Sequence, residues 1–233
     1  KNTIHDLLWM RQNGLEAAIL KLADRQVPVW GICGGYQMMG EVLVDEKGVE
    51  SDLPSRTSGM GLLPLKTEFE KEKIRTQVEG AFGQLDGCLG GLSGKSIEGY
   101  EIHMGRTYID REEGAADTAR IVSWRREPEI CRPMDYVMEM GKDRLLSRKA
   151  RMDGWNRGNI YGTYVHGIFD GPGVAAAVTE ALLEAKGISG LKTENGDFDY
   201  HAYRESQYDK LAQELRTSLD MEAVYRILED GLR

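Results

Sequence analysis

Residues 27–40 read Val-Pro-Val-Trp-Gly-Ile-Cys-Gly-Gly-Tyr-Gln-Met-Met-Gly, an apolar run that ends in Cys33 with Gly31 two residues before it and Gly35 two after. No other stretch restricts the fold as tightly. A side chain at the tip of a sharp strand-to-helix turn needs unusual backbone geometry, and small residues on either side keep neighbouring backbone from clashing. The pattern predicts a strand over 27–32, an elbow that exposes the thiol, and a helix over about 34–44. The start of that helix aims unpaired N–H groups at the sulfur, a setting that favours the nucleophilic thiolate and can hold an oxyanion. An isolated cysteine is more often a small buried hydrophobe. The glycine spacing is what argues otherwise here.

Around the elbow, apolar spacing predicts a helix from a Thr3 cap to about 20, interrupted near Gly14, and candidate strands over 61–69 and 72–79. Pro64 suits a strand start or edge. Residues 80–99 are glycine-rich, 100–107 alternate apolar and polar around His103, and an irregular stretch follows to about 157. Residues 159–170 form a strand that carries His166 at its C-terminal end. Helices are expected over 174–186 with Gly187 closing it, over 200–218, and over 220–230 with Asp220 as N-cap and Gly231 after it. Strands interleaved with helices predict an α/β fold: a flavodoxin-like, open, mainly parallel sheet with helices on both faces, plus C-terminal helices. Ligands collect at the C-terminal ends of strands in such sheets, where both Cys33 and His166 fall.

A nucleophilic thiol needs a base that accepts its proton and returns it to a leaving amine, and histidine does both near neutral pH. Of four histidines, His5 and His201 lie in helical segments and read as surface or capping residues. His166 is favoured over His103 because its strand is apolar and ends in a glycine-rich turn; His103 also reads as a satisfied core histidine. Cys88 and Cys131 have no comparable setting.

Several classes are disfavoured. A net charge of −8 with scattered basic residues argues against a nucleic-acid surface. Three cysteines without close spacing suit a reducing, cytoplasmic setting rather than a disulfide framework or zinc site. No apolar run is long enough for a membrane span, and no acidic pair has spacing that marks a metal site. Residues 90–96, Gly-Gly-Leu-Ser-Gly-Lys-Ser, approach a phosphate-binding loop, but its first glycine should stand where the chain has Leu89. No nucleotide site is therefore expected.

Four stretches, taken together, resemble the glutaminase domains of cobyric acid synthases, in the cobalamin-pathway branch of class I glutamine amidotransferases. They are residues 1–9, 31–40, 99–105 (Gly-Tyr-Glu-Ile-His-Met-Gly) and 162–170 (Gly-Thr-Tyr-Val-His-Gly-Ile-Phe-Asp), supported by the Leu-Asp-Met-Glu-Ala-Val-Tyr ending at 219–225. Gly-Tyr-Gln after the cysteine favours this group over the related a,c-diamide synthases.

The resemblance implies that Cys33 attacks the side-chain amide of glutamine, that His166 shuttles the proton, and that ammonia is the useful product. It implies a backbone N–H from Gly34 in the oxyanion hole, Gln37 on the substrate glutamine, and the His103 segment lining the pocket. Lys73 or Arg75 would pair with the glutamine carboxylate. Related enzymes commonly carry a Glu two residues after the histidine, where this chain has Ile168, leaving Asp170 as the nearest orienting candidate. Residues 1–190 are read as the amidotransferase domain, N-terminally truncated, and 191–233 as its helical extension. The resemblance also expects an upstream turn completing the oxyanion hole. ATP and Mg are expected only in an upstream synthetase domain, through which a corrinoid substrate would be reached. The rival readings are a glutaminase for a,c-diamide synthesis or cell-wall lipid amidation, and a non-catalytic amidotransferase-like scaffold.

Overall fold

The computed structural model describes residues 2–51, 53–109, 132–140, 150–188 and 200–231. Cys131 lies outside them. In chain order the elements are α1 (Thr3–Gln12), α2 (Leu15–Asp24), β1 (Val29–Ile32), α3 (Gly34–Met38), β2 (Val42–Asp45), β3 (Ser55–Ser58) and β4 (Lys66–Phe82). A 3-10 turn (Gly87–Leu92), β5 (Ser96–Tyr108), β6 (Arg132–Met140), β7 (Ala150–Arg157) and β8 (Ile160–Thr163) follow, then α4 (Val174–Ala185), α5 (Tyr200–Ser218) and α6 (Met221–Asp230).

Among the described residues these strands form one sheet in the order β1-β8-β7-β6-β4-β2-β3, with β5 paired to β4. Side-chain alternation in β1 and β8 divides the core into two layers. Val29 and Ile160 pack with Ala23, Tyr36, Met39 and Leu63 on the face covered by α2 and α3. Trp30, Ile32 and Tyr161 pack with Leu89, Ile97, Val174 and Ala177 on the face covered by α4 and the 3-10 turn. Trp30 stacks on Tyr161 with ring centroids 4.9 Å apart. The expected α/β arrangement with helices on both faces is thus present.

The expectation of mainly parallel pairing needs correction in its middle. β1–β8 and β2–β4 are parallel, whereas β2–β3, β4–β5, β4–β6, β6–β7 and β7–β8 are antiparallel. Connection length explains the change. Only Gly158 and Asn159 separate β7 from β8, and Gly158 has φ 58°. A two-residue link can join antiparallel neighbours only, since a parallel pair needs a long crossover. The stretch expected to be irregular up to 157 contains the strands β6 and β7.

The outer edge of β5 comes round to the segment after β8, where Tyr100 and His166 form an antiparallel bridge. A Cβ on Gly99 would lie 2.2 Å from the His166 carbonyl oxygen. Only glycine permits that approach.

Other boundaries also shift. Asn2, not Thr3, caps α1, its side chain accepting from the His5 N–H at 2.9 Å, while Gly14 at φ 76° starts α2. The elbow helix is five residues long, not eleven. A Cβ on Gly40 would meet the Leu65 carbonyl at 2.6 Å, and β-branched Val42 and Val44 pair with β3 and β4. Residues 61–65 form a loop whose Leu62, Leu63 and Leu65 are buried. The two strands expected over 61–69 and 72–79 merge into β4, continuous through a register shift between Glu68 and Lys73. Near the C-terminus α4, α5 and α6 match their expected spans, Asp220 caps α6 through the Ala223 N–H, and Leu211, Leu215, Tyr225 and Leu228 are exposed.

Candidate active site

Cys33 sits at φ 54°, ψ −112°, and among the described residues only Gln26 and Cys33 have positive φ without being glycine. The elbow expected from sequence is real. Its thiol is nevertheless buried, with 3% exposure. A Cβ on Gly31 would lie 2.7 Å from both the Tyr36 nitrogen and the Met39 sulfur, so this glycine is required; Gly35 faces open space and is not. The Cys33 N–H donates to Thr163 O at 2.9 Å, and its carbonyl accepts from the Gln37 N–H at 3.1 Å. Gly34 is the first residue of α3. A one-turn helix has little macrodipole, so any electrostatic help comes from individual N–H groups.

Three groups converge on alternate carbonyls along the free edge of β5. His166 N–H donates to Tyr100 O at 2.8 Å, with Tyr100 N–H returning to His166 O at 3.2 Å. The Cys33 thiol donates to Ile102 O at 3.7 Å. Gln37 Nε2 donates to Met104 O at 2.8 Å. Successive same-side carbonyls on a strand stand about 7 Å apart. One edge thus spaces the cysteine, the histidine and the glutamine like a ruler.

Gln37 is buried and its amide is well occupied. Nε2 also donates to Tyr164 Oη at 3.2 Å, and Oε1 accepts from Thr3 Oγ1 at 3.4 Å. Tyr164 Oη lies 2.6 Å from Thr107 Oγ1, itself 2.7 Å from Thr67 Oγ1. Burial pushes the Tyr164 phenol far above its ordinary range, keeping it neutral. This network clamps α1, α3, β4 and β5 together, so the structure gives Gln37 a place behind the elbow. His103 is buried on the opposite face of β5 from Tyr100 and Ile102. Its ring stacks on Tyr164 at 3.5 Å and 11°, and its Nε2 is 3.6 Å from the carboxylate of buried Glu101.

Lys73 and Arg75 lie opposite Met104 and Ile102. Directly paired residues share a face, so both exposed side chains stand on the face of β5 that carries Tyr100. Ile168 is a core residue at 1% exposure. Asp170 closes the turn after His166, its N–H donating to Gly167 O at 2.9 Å. Its Oδ2 lies 3.2 Å from where a Gly167 Cβ would stand.

Sequence reading missed Asp153. Its carboxylate accepts from Thr163 Oγ1 at 2.7 Å and from the Tyr164 N–H at 2.9 Å, fixing the end of β8 just before His166. One aspartate in a polar stretch carries no signal for this.

A cavity of about 400 Å³ is lined by Tyr36, His103, Arg106, Asp153 and Trp155 among others, but not by Cys33 or His166. Among the described residues no group of three or more His, Cys, Asp or Glu is placed to hold a metal ion. Residues 90–96 run from a 3-10 turn into β5, which does not fit a phosphate loop, where a helix must follow. Cys88 packs against the core, and burial raises its thiol pKa. No helix among the described residues is long and apolar enough to cross a membrane.

Residues 1–174 match the family described as the CobB/CobQ-like glutamine amidotransferase domain. The whole chain is 43% identical to a cobyric acid synthase of Ruminiclostridium cellulolyticum and 42% identical to one of Lachnoclostridium phytofermentans, covering 40% and 42% of those proteins. Over 98% of the chain it is 35% identical to the cobyric acid synthase of Citrobacter koseri. It spans about two fifths of the length of these relatives. With its cysteine elbow seated against the histidine-bearing segment, the chain belongs to the CobB/CobQ-like glutamine amidotransferase domain family.

Proposed function

We propose that this chain is the glutamine-hydrolysing portion of a cobyric acid synthase, with Cys33 and His166 as a catalytic dyad. The observation that carries the reading is the β5 edge, where Tyr100 and Ile102 hold His166 and Cys33 on neighbouring carbonyls. His166 takes the thiol proton, and the sulfur bonds to the carboxamide carbon of glutamine. The resulting oxyanion accepts from the Gly34 N–H. The C–N bond breaks as His166 returns the proton, releasing ammonia and a glutamyl thioester. Water, deprotonated by His166, then displaces the sulfur to give glutamate.

Gln37 serves this site from behind, and its full set of partners supports a positioning role rather than contact with substrate. Arg75, opposite Ile102, and Lys73 are the cations suited to the glutamine α-carboxylate. Asp170 borders the His166 turn. Residues 1–190 act as the amidotransferase unit and 191–233 as its helical extension. The ammonia serves ATP-dependent amidation of corrinoid carboxylates in a synthetase portion that the longer relatives have room for. Chemistry with ATP and Mg belongs to that portion, and a cytoplasmic location fits an enzyme that relies on a reduced thiol.

Cys33→Ala tests the reading in a complete synthase carrying this segment. Glutamine-driven amidation is expected to vanish while amidation driven by added ammonium persists. Retained glutamine turnover would remove Cys33 from the chemistry.

A further inference from the structure

We propose that Tyr100 is the positioning residue that sets the plane of the His166 imidazole. The inference rests on the reading of Cys33 and His166 as a glutamine-hydrolysing pair. The two rings stack with centroids 4.9 Å apart and planes 6° from parallel. The same two residues exchange both backbone hydrogen bonds, so the ring pair is a closed cross-strand pair. Its backbone contact depends on Gly99, where any side chain would strike the His166 carbonyl.

His166 is therefore held at three points. Tyr100 fixes its backbone from one side, Tyr100 also covers its ring, and Ile168 two residues on is anchored in the core. A flat ring over an imidazole limits rotation about the Cβ–Cγ bond. It fixes the plane in which both ring nitrogens lie, on a segment bonded one rung along β5 from the Cys33 thiol. The electron-rich ring face also favours the imidazolium formed in that transfer. Tyr100 itself is half exposed, so shortening it opens no hole in the core.

The ring face, not the hydroxyl, is what the geometry uses. In a purified complete synthase carrying this segment, with glutamine, Tyr100→Phe is expected to keep kcat within about twofold and Tyr100→Leu to lower it about tenfold, KM changing little in either. NMR supplies a readout independent of turnover. The His166 ring signal, assigned by its absence in His166→Asn, should show a ring-current shift that Tyr100→Leu removes and Tyr100→Phe retains. Full kcat in Tyr100→Leu, equal losses in both variants, a loss confined to KM, or a His166 signal unmoved by Tyr100→Leu would each overturn the proposal. Cys33→Ala, run in parallel, separates the two ideas: turnover surviving there sinks the dyad reading itself.

Discussion

Cys33 holds a backbone conformation that costs a non-glycine residue about 1–3 kcal/mol, and bonds to Thr163 and Gln37 on either side of it hold that conformation in place. The sequence signalled this strain through Gly31, because glycine at that position answers a steric demand. It gave no such warning for Gln37, whose burial depends on partners far away in the chain, at Met104 and Tyr164. Asp45 is equally silent in sequence. Its buried carboxylate accepts from the N–H groups of Val49, Glu50 and Ser51 and from the Ser51 hydroxyl. Burial alone would raise its pKa, yet these bonds together hold it below the ordinary value. A depressed folded-state pKa adds stability that is present above the unfolded value, about 3.9, and lost as pH falls through the lower folded value. Asp45→Asn should therefore cost about 1–3 kcal/mol in urea unfolding at pH 7, with the gap to the parent narrowing only below about pH 4. A gap independent of pH would point to another role.

β5 serves the site mainly through its main chain. The alternation over 100–107 was readable as a strand with His103 on it. Which edge carbonyls would receive Cys33 and His166 was not, because those contacts depend on register against a distant partner. The motif glycines do connect the two levels. Gly99→Ala is expected to lower glutamine hydrolysis by at least about tenfold, since the added methyl forces the Tyr100–His166 bridge apart. Gly91→Ala, where nothing lies within 4 Å, should leave the rate unchanged. Equal rates for Gly99→Ala and the parent would show that the bridge does not govern the site.

At the scale of the molecule, the two-layer core and the terminal helices were legible because they follow from periodicity and caps such as Asp220. The antiparallel middle was not, since its cue is the brevity of the link at Gly158 and Asn159, which reads as an ordinary loop until the strands around it are known. Among the described residues β1 pairs with β8 alone, leaving the Val-Trp-Gly-Ile strand that ends at Cys33 on the rim of the sheet. An apolar rim strand without charge is a template for another chain. The solution behaviour of this segment alone is expected to reflect that. Sedimentation velocity should show assemblies that grow with protein concentration, and Val27→Lys, at an exposed position two residues before the strand, should reduce them. A monodisperse species across the whole range would mean that the rim is already shielded. The strand that readies the thiol for chemistry is by this account also a colloidal liability of the chain.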